Sequence, residues 1–338
     1  MPAASTTPPA FVYLDAGPHA PGRIRSPLRM KIAVLGSGSI GLYYGAKLAS
    51  AGEDVHFLLR SGYDEAVRDG VQVFSPDGNV RIHPVHAHRD AESIGACDLV
   101  LIALKTTQNV VLDRLIPPLL GPDTMLLTLQ NGLGSDDALA SRYGAGRVLG
   151  ALCFVCLTRR TPAQVDHFGH GVISLGEYGR PPNARTEELA GRFRRTGVET
   201  RVVADLAGER WKKLVWNIPF NGLAVAAGGV AVDQLLADPT LEAEVRALMD
   251  EVIRAAAALG HPIRPDYAEF QIERTRTMGA YQPSTLVDYL AGRELEIDSI
   301  WGEPLRRAAA AGVATPHLEK LHSRLLAIEV ARLSRAEA

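Results

Sequence analysis

The stretch Glu209-Arg-Trp-Lys-Lys-Leu-Val-Trp-Asn-Ile-Pro-Phe-Asn221 carries Lys213, Asn217 and Asn221 at i, i+4 and i+8. On a helix that spacing puts one ammonium and two amides on a single face, about 6 Å apart. Trp216 and Phe220 border the stripe, which predicts a partly buried polar site. Burial would lower the lysine's pKa towards neutrality, where acid–base chemistry works best. Lys212 faces elsewhere and reads as a surface charge. Further on, Glu294-Leu-Glu-Ile-Asp-Ser299 places three acids at a helix start, where they also suit the positive end of the helix dipole.

A second chemistry is written near the beginning. Gly36-Ser37-Gly38-Ser39-Ile40-Gly41 is a G-x-G-x-x-G that follows the β-rich run Lys31–Leu35 and opens the helical run from Ile40 to Ala51. In that context the first glycine makes the tight turn, the second admits a pyrophosphate and the third lets helix and strand pack. The helix's unpaired N–H groups then hold the phosphates. At the end of the next strand, where an NAD site usually has Asp or Glu, stands Leu59-Arg60. An arginine can grip a 2′-phosphate but offers no acceptor to a ribose hydroxyl. The expected cofactor is therefore NADPH. Two more polar residues stand where apolar strands end, Lys105 after Asp98–Leu104 and Asn131 after Met125–Leu129. That is the place an open α/β sheet uses for ligands, although Asn-Gly is also ordinary turn chemistry.

The elements that must position these residues follow from pattern. Short β-rich runs at 31–35, 55–59, 98–104 and 125–129 alternate with helical ones at 40–51, about 107–119 and 135–142. The continuous apolar runs predict parallel strands buried on both faces. Val71–Phe74 and Val80–Val85, joined by Pro76-Asp-Gly78, predict a hairpin. The fold class expected is α/β, an N-terminal Rossmann-type doubly wound sheet followed by an all-α C-terminal domain. Strands continue through 147–203. Beyond about 204 helical segments take over at 206–227, 240–259, 266–278, 284–292, 298–311 and 316–335. The domains read as an irregular extension over 1–29, a nucleotide-binding domain over 30–204 and a helical catalytic domain over 205–338. Met30 stands directly before the first strand, where translation could also start.

A chain of 338 residues is long enough for two domains and a sizeable core. A net charge of −2 gives no footing for nucleic acid or an anionic membrane, and no apolar run is long enough for a membrane span. Three cysteines argue against a disulfide framework and for a cytoplasmic protein. Cys153 and Cys156 form a C-x-x-C, but on a strand residues three apart point to opposite faces, so they read as structural thiols. His83, His86 and His88 cluster, as do His167 and His170. With no cysteine partner and no helical H-x-x-x-H spacing they read as loop or strand-edge residues rather than metal ligands.

As a set, these residues resemble the ketopantoate reductases (2-dehydropantoate 2-reductases), NADPH-dependent enzymes of the route to pantothenate and coenzyme A. The resemblance runs from Met30 to near the C-terminus. It rests on Met30–Gly41, Leu104-Lys105, Asn131-Gly-Leu-Gly134, Trp211–Leu214 with Asn217 and Asn221, Ser284 before Asp288, and Glu296-Ile-Asp298. It implies that Lys213 is the general acid for the C2 carbonyl oxygen while hydride reaches C2, its charge stabilising the alkoxide. It implies further that Glu296 positions that ammonium and the substrate hydroxyl, and that Asn131, Asn217, Asn221 and Ser284 bind a small 2-keto acid. Lys105, Asn131 and Glu296 would also line the cofactor, with closure of the two domains excluding water. The partners implied are that acid and, as one option, a second copy in a homodimer. Two features depart from the family pattern: Pro219 with Gly222 around Asn221, and Leu295 before Glu296. They predict a kinked helix and an altered substrate pocket, which keeps a related 2-keto acid reductase open as an alternative. A non-catalytic NADPH-binding sensor is a second alternative.

Overall fold

The structure, a computed structural model, describes the backbone of Val12–Tyr13 and residues 29–336, with side chains for 29–334. The irregular extension expected over 1–29 therefore falls mostly outside the described residues. Two compact units emerge: Met1–Gln130 with Leu139–Ala204, and Asn131–Ala138 with Asp205–Ala338.

The first unit holds a mixed sheet of eleven strands among the described residues. They are β1 (Val12–Tyr13), β2 (Lys31–Leu35), β3 (Asp54–Leu58), β4 (Val71–Phe74), β5 (Val80–Ile82), β6 (His86–His88), β7 (Cys97–Ile102), β8 (Leu120–Thr128), β9 (Val148–Thr161), β10 (Gln164–Glu177) and β11 (Thr200–Val202). The order is β1-β5-β4-β10-β9-β8-β7-β2-β3-β6, with β11 beside β10. The run from β9 to β6 is parallel throughout; β9 and β10 form a long antiparallel pair. Alternation on the pleat divides the core in two. Ile32 and Val34 pack with Leu42, Tyr44 and Leu48 of α1 (Ser39–Ser50) on one face, while Ala33 and Leu35 pack with Leu112, Ile116 and Leu119 on the other. Burial on both faces is why β2, β7 and β8 read as unbroken apolar runs.

Some local expectations shift. The helix expected over 107–119 is a 3-10 turn at Thr106–Val111, a single turn α3 (Leu112–Leu115) and a second 3-10 turn at Pro117–Leu119. Stiff Val110-Val111 and the missing N–H groups of Pro117-Pro118 account for the break. The hairpin forms, though its second strand stops at Ile82, and β6 appears beyond it. Two helices unforeseen in this unit are α2 (Tyr63–Asp69) and α5 (Ala184–Arg195).

The second unit opens with part of α4 (Ser135–Tyr143) and continues through α6 (Leu206–Ala226), α7 (Val232–Ala237), α8 (Pro239–Ala258), α9 (Tyr267–Arg276), α10 (Ser284–Leu290), α11 (Glu303–Ala310) and α12 (Pro316–Ala336). α6 is the hub, packed by α8, α10 and α12. It starts at Asp205, whose carboxylate accepts from Gly208 N at 2.9 Å. Burial tends to raise the Asp205 pKa, but that amide and His261 outweigh it and hold it low. The helix runs unbroken through Pro219. Three residues on, a Cβ at Gly222 would lie 2.9 Å from Trp301 Nε1 and 2.7 Å from Leu321 Cδ2. Glycine there lets the buried indole reach α6 and donate to the Ile218 carbonyl at 3.0 Å. Leu295 lies in the apolar cluster of this unit. Gly222 and Leu295 thus serve core packing, a correction to the expectation that they shape the pocket.

The short strap Asn131–Ala138 is tied to this hub. Arg210 Nη2 donates to Asp136 Oδ1 at 2.8 Å, and both side chains are almost fully buried. Arg307 pairs with Asp137, and Leu133 N donates to the Ser299 carbonyl at 2.9 Å. Burial would lower the Arg307 pKa, but Asp137 and Glu303 more than offset it and raise it. All three tryptophans, Trp211, Trp216 and Trp301, lie in this unit, so their fluorescence reports its unfolding. Asp136→Ala removes the carboxylate that pairs with the buried Arg210 guanidinium and should destabilise the unit by about 3–5 kcal/mol in urea titrations followed by that fluorescence. Asp136→Ala combined with Arg210→Met should recover part of the loss. Gly222→Ala should cost about 1–3 kcal/mol by overpacking against Trp301; an unchanged midpoint would show that the indole has room to spare.

Candidate active site

The nucleotide loop lies wholly in the first unit. Gly36 ends β2 with φ of 96°, a left-handed conformation that favours glycine, and a Cβ there would collide with the Ala103-Leu104 backbone. A Cβ on Gly41 would run into the Gly36 carbonyl, whereas one on Gly38 would meet nothing within 4 Å. So Gly36 and Gly41 are demanded by packing, and Gly38 leaves open space in front of the helix. Gly38 is the N-cap of α1, with no side-chain cap and no acid in the first turn. The helix therefore presents its N–H groups and positive dipole end without a competing anion. This cradle fits a dinucleotide pyrophosphate. Ser37 donates to the Leu58 carbonyl at 2.9 Å and so braces the loop on β3. Ser39 and Ile40 are half-buried in the first turn of α1.

Arg60 stands exposed just past β3. Sequence reading missed a second cation near it. Burial lowers the Arg159 pKa; Glu65 opposes the shift and the charge of Arg60 adds to it. Arg159 lies on β9, far away in sequence, so no local spacing could have revealed it. Lys105 is half-buried at the start of the turn after β7. Beside it is another missed residue, Gln130, whose amide donates to the Leu104 carbonyl at 2.9 Å and to Asn109 Oδ1 at 2.6 Å. It ties the ends of β7 and β8 together.

The second constellation lies wholly in the second unit. Lys213 Nζ donates to Asn131 Oδ1 at 2.8 Å, joining residues 82 positions apart. One turn before Lys213 on α6, Arg210 grips Asp136, so the same helix holds the strap at two points. Gly132 has φ of 81°, and a Cβ on it would come 2.5 Å from the Ser299 carbonyl carbon. That close approach sets the strap against the turn containing Glu296 and Ser299. Glu296 is half-buried there, its carbonyl accepting from Ile300 N and Ser299 Oγ, each at 3.3 Å. Just after Glu296 the chain enters a π-helical segment, Asp298–Gly302, leading into α11.

Asn217 and Asn221 follow Lys213 along α6, both buried. Asn221 Oδ1 accepts from Thr285 N at 2.9 Å and from Ser284 Oγ at 3.4 Å. It thereby caps the first turn of α10 and positions Ser284. The structure gathers Lys213 with Asn131, and Asn221 with Ser284, while the strap reaches the Glu296 turn through Gly132 and Leu133. A lysine ammonium that donates to an amide oxygen is chemically able to give a proton to a second oxygen.

The similarity to known proteins spans most of the chain. The family described as "Ketopantoate reductase PanE/ApbA" matches residues 32–180, and its C-terminal counterpart, "Ketopantoate reductase PanE/ApbA C terminal", matches 205–329. A 2-dehydropantoate 2-reductase from Nostoc sp. is 39% identical over 300 residues, covering 87% of this chain and 94% of that protein. Among solved structures, 2-dehydropantoate 2-reductase from Geobacter metallireducens superposes with a TM-score of 0.86 at 44% identity, covering 89% of this chain and all of that one. The enzyme of the same name from Methylococcus capsulatus gives 0.84 at 32% identity, covering 89% and 97%. Two domain matches and near-complete coverage make one conclusion: this chain belongs to the ketopantoate reductase family of nicotinamide-dependent reductases.

Proposed function

We propose that this protein reduces 2-dehydropantoate to (R)-pantoate with NADPH, and that Lys213 is the general acid. The observation that carries the reading is the 2.8 Å bond from Lys213 Nζ to Asn131 Oδ1, in a chain of this family. NADPH, when bound, supplies the hydride that reduces C2. Lys213 gives its proton to the C2 oxygen, so one hydride and one proton are added in all, and the neutral amine is reprotonated from water. Its positive charge stabilises the developing alkoxide before the proton moves. Asn131 fixes the direction of the ammonium, which sits on α6 among buried side chains. Glu296, on the turn reached by the strap, provides a carboxylate to balance that charge and to accept from the substrate hydroxyl. Asn217 and Ser284 offer donors to the substrate's oxygens, with Asn221 setting Ser284 in place.

On the cofactor side, Gly36, Ser37, Gly38, Ser39, Ile40 and Gly41 form the phosphate loop. Lys105, Asn131 and Glu296 complete the contacts expected along the dinucleotide. Arg60 takes the 2′-phosphate, with Arg159 adding positive potential beside it. The reading places the enzyme in the cytoplasm, in keeping with three cysteines that form no disulfide.

Loss of NADPH absorbance on adding ketopantoate tests the activity directly. Turnover of another 2-keto acid, with none of ketopantoate, would remove the substrate assignment while leaving the chemistry. Lys213→Ala should lower kcat by roughly 10²–10⁴-fold and leave NADPH affinity, read by fluorescence titration, within about twofold. Unaltered turnover would point instead to a nucleotide-binding sensor. Arg60→Ala should lower the preference for NADPH over NADH, compared as kcat/KM, by about 10–100-fold, the worth of charge-assisted bonds to the phosphate. A ratio that does not move would transfer the phosphate contact to another residue.

A further inference from the structure

At the outer edge of the first unit's sheet, β6 pairs in parallel with β3, and His56 stands directly opposite His86. Because side chains alternate along a strand, Asp54 and His56 of β3 and His86 and His88 of β6 share one face. Asp54 Oδ1 lies 3.2 Å from His56 Nε2 and 3.0 Å from His86 Nδ1. The three ligand atoms fall within 4.8 Å of one another. Around a tetrahedral zinc with bonds of about 2.0–2.1 Å, ligand atoms stand roughly 3.3 Å apart. The cluster is already near that size, and the exposed His86 ring, at the solvent side, has freedom to close it.

The hydrogen bonds behind the cluster set the tautomer. Ser93 Oγ donates its single proton to the Asp90 carbonyl at 3.0 Å. His88 Nδ1, 2.9 Å from that oxygen, must then be the donor, which leaves His88 Nε2 an acceptor. His56 Nδ1, 2.9 Å from His88 Nε2, is in turn the donor. His56 Nε2 is therefore left with a bare lone pair directed at a carboxylate oxygen, and it has no hydrogen-bond partner although it is buried. Two lone pairs facing at 3.2 Å need a cation between them. A proton can bridge two of these atoms, whereas a metal ion can bridge all three. The chain His56–His88–Ser93 is also the outer-shell arrangement that orients a ligating imidazole. Lys31, across β2 from Asp54, directs its ammonium away to the Ile94 carbonyl at 2.6 Å.

We infer that Asp54, His56 and His86 form a site for a divalent transition metal of the zinc class, with water completing the shell and His88 orienting His56. Two imidazoles and a carboxylate suit zinc rather than calcium or magnesium. The ion would staple the three-residue edge strand β6 to β3. This site lies at the start of β3, and the nucleotide loop meets the other end of the strand at Leu58, so the inference is independent of the reaction proposed above.

Sequence spacing concealed the site. Asp54-Val-His56 and His86 are about thirty residues apart, and only strand pairing brings them together. The test uses the full chain without a polyhistidine tag, stripped with EDTA and titrated with Zn²⁺ by calorimetry, with bound metal counted by elemental analysis after dialysis. One zinc per chain is expected. His86→Ala, at an exposed position, should weaken binding at least tenfold, and His88→Ala should weaken it about 10–100-fold through the lost outer shell. Cobalt substitution should give a tetrahedral visible spectrum with no thiolate charge-transfer band, which separates this site from the cysteines. Sub-stoichiometric zinc, affinity untouched by His86→Ala, or a thiolate band would each overturn the inference.

Discussion

The guanidinium of Arg210 and the carboxylate of Asp136 are both withdrawn from water inside the helical unit, and each offsets the cost of burying the other. Their pairing clamps the strap Asn131–Ala138 onto α6 one helical turn from Lys213. Together with the Arg307–Asp137 pair and the Leu133–Ser299 backbone bond, that clamp holds Asn131 at hydrogen-bond distance from the ammonium. A buried ion pair is weak evidence for stability in itself. Here its use is directional, because it specifies which turn of α6 the strap must meet.

Close backbone approach is the second device, used in both units. Gly36 and Gly41 let a strand, a turn and a helix start occupy space that any Cβ would fill. Gly132 brings the strap against the carbonyl of Ser299, and Gly222 admits the indole of Trp301 to α6. In each case a missing methyl group sets a separation that larger residues could not reach. Gly38 differs, since it has open space above it. Its contribution is to leave the helix N-terminus uncovered.

Much of this was legible beforehand, for reasons of locality. The apolar runs of β2, β7 and β8, the G-x-G-x-x-G at a strand–helix junction and the polar stripe of α6 are each set by neighbours within a few residues. The helix expected over 107–119 failed where Pro117-Pro118 and paired valines broke its ladder. The α5 helix hid in a stretch whose flanking strands dominated the pattern. Gly222 and Leu295 looked like pocket residues because they adjoin Asn221 and Glu296 in sequence. Gly222 meets Trp301 and Leu321 because positions one apart on a helix point about 100° apart, and Leu295, in the irregular stretch before α11, joins the apolar cluster. Asn221 in turn spends its oxygen on the first turn of α10, a use invisible without knowing which helix packs beside it.

Taken alone, the sequence determined the class of fold, the phosphate loop and the alignment of Lys213, Asn217 and Asn221, since these depend on periods of 2.0 and 3.6 residues and on glycine's backbone freedom. The tertiary structure decided which distant groups meet: Asn131 with Lys213, Asp136 with Arg210, Arg159 near Arg60, and His86 with Asp54 and His56. Those pairings join segments separated by tens of residues. Their energy is realised only once strand order and helix packing bring the groups together, so no local pattern records them.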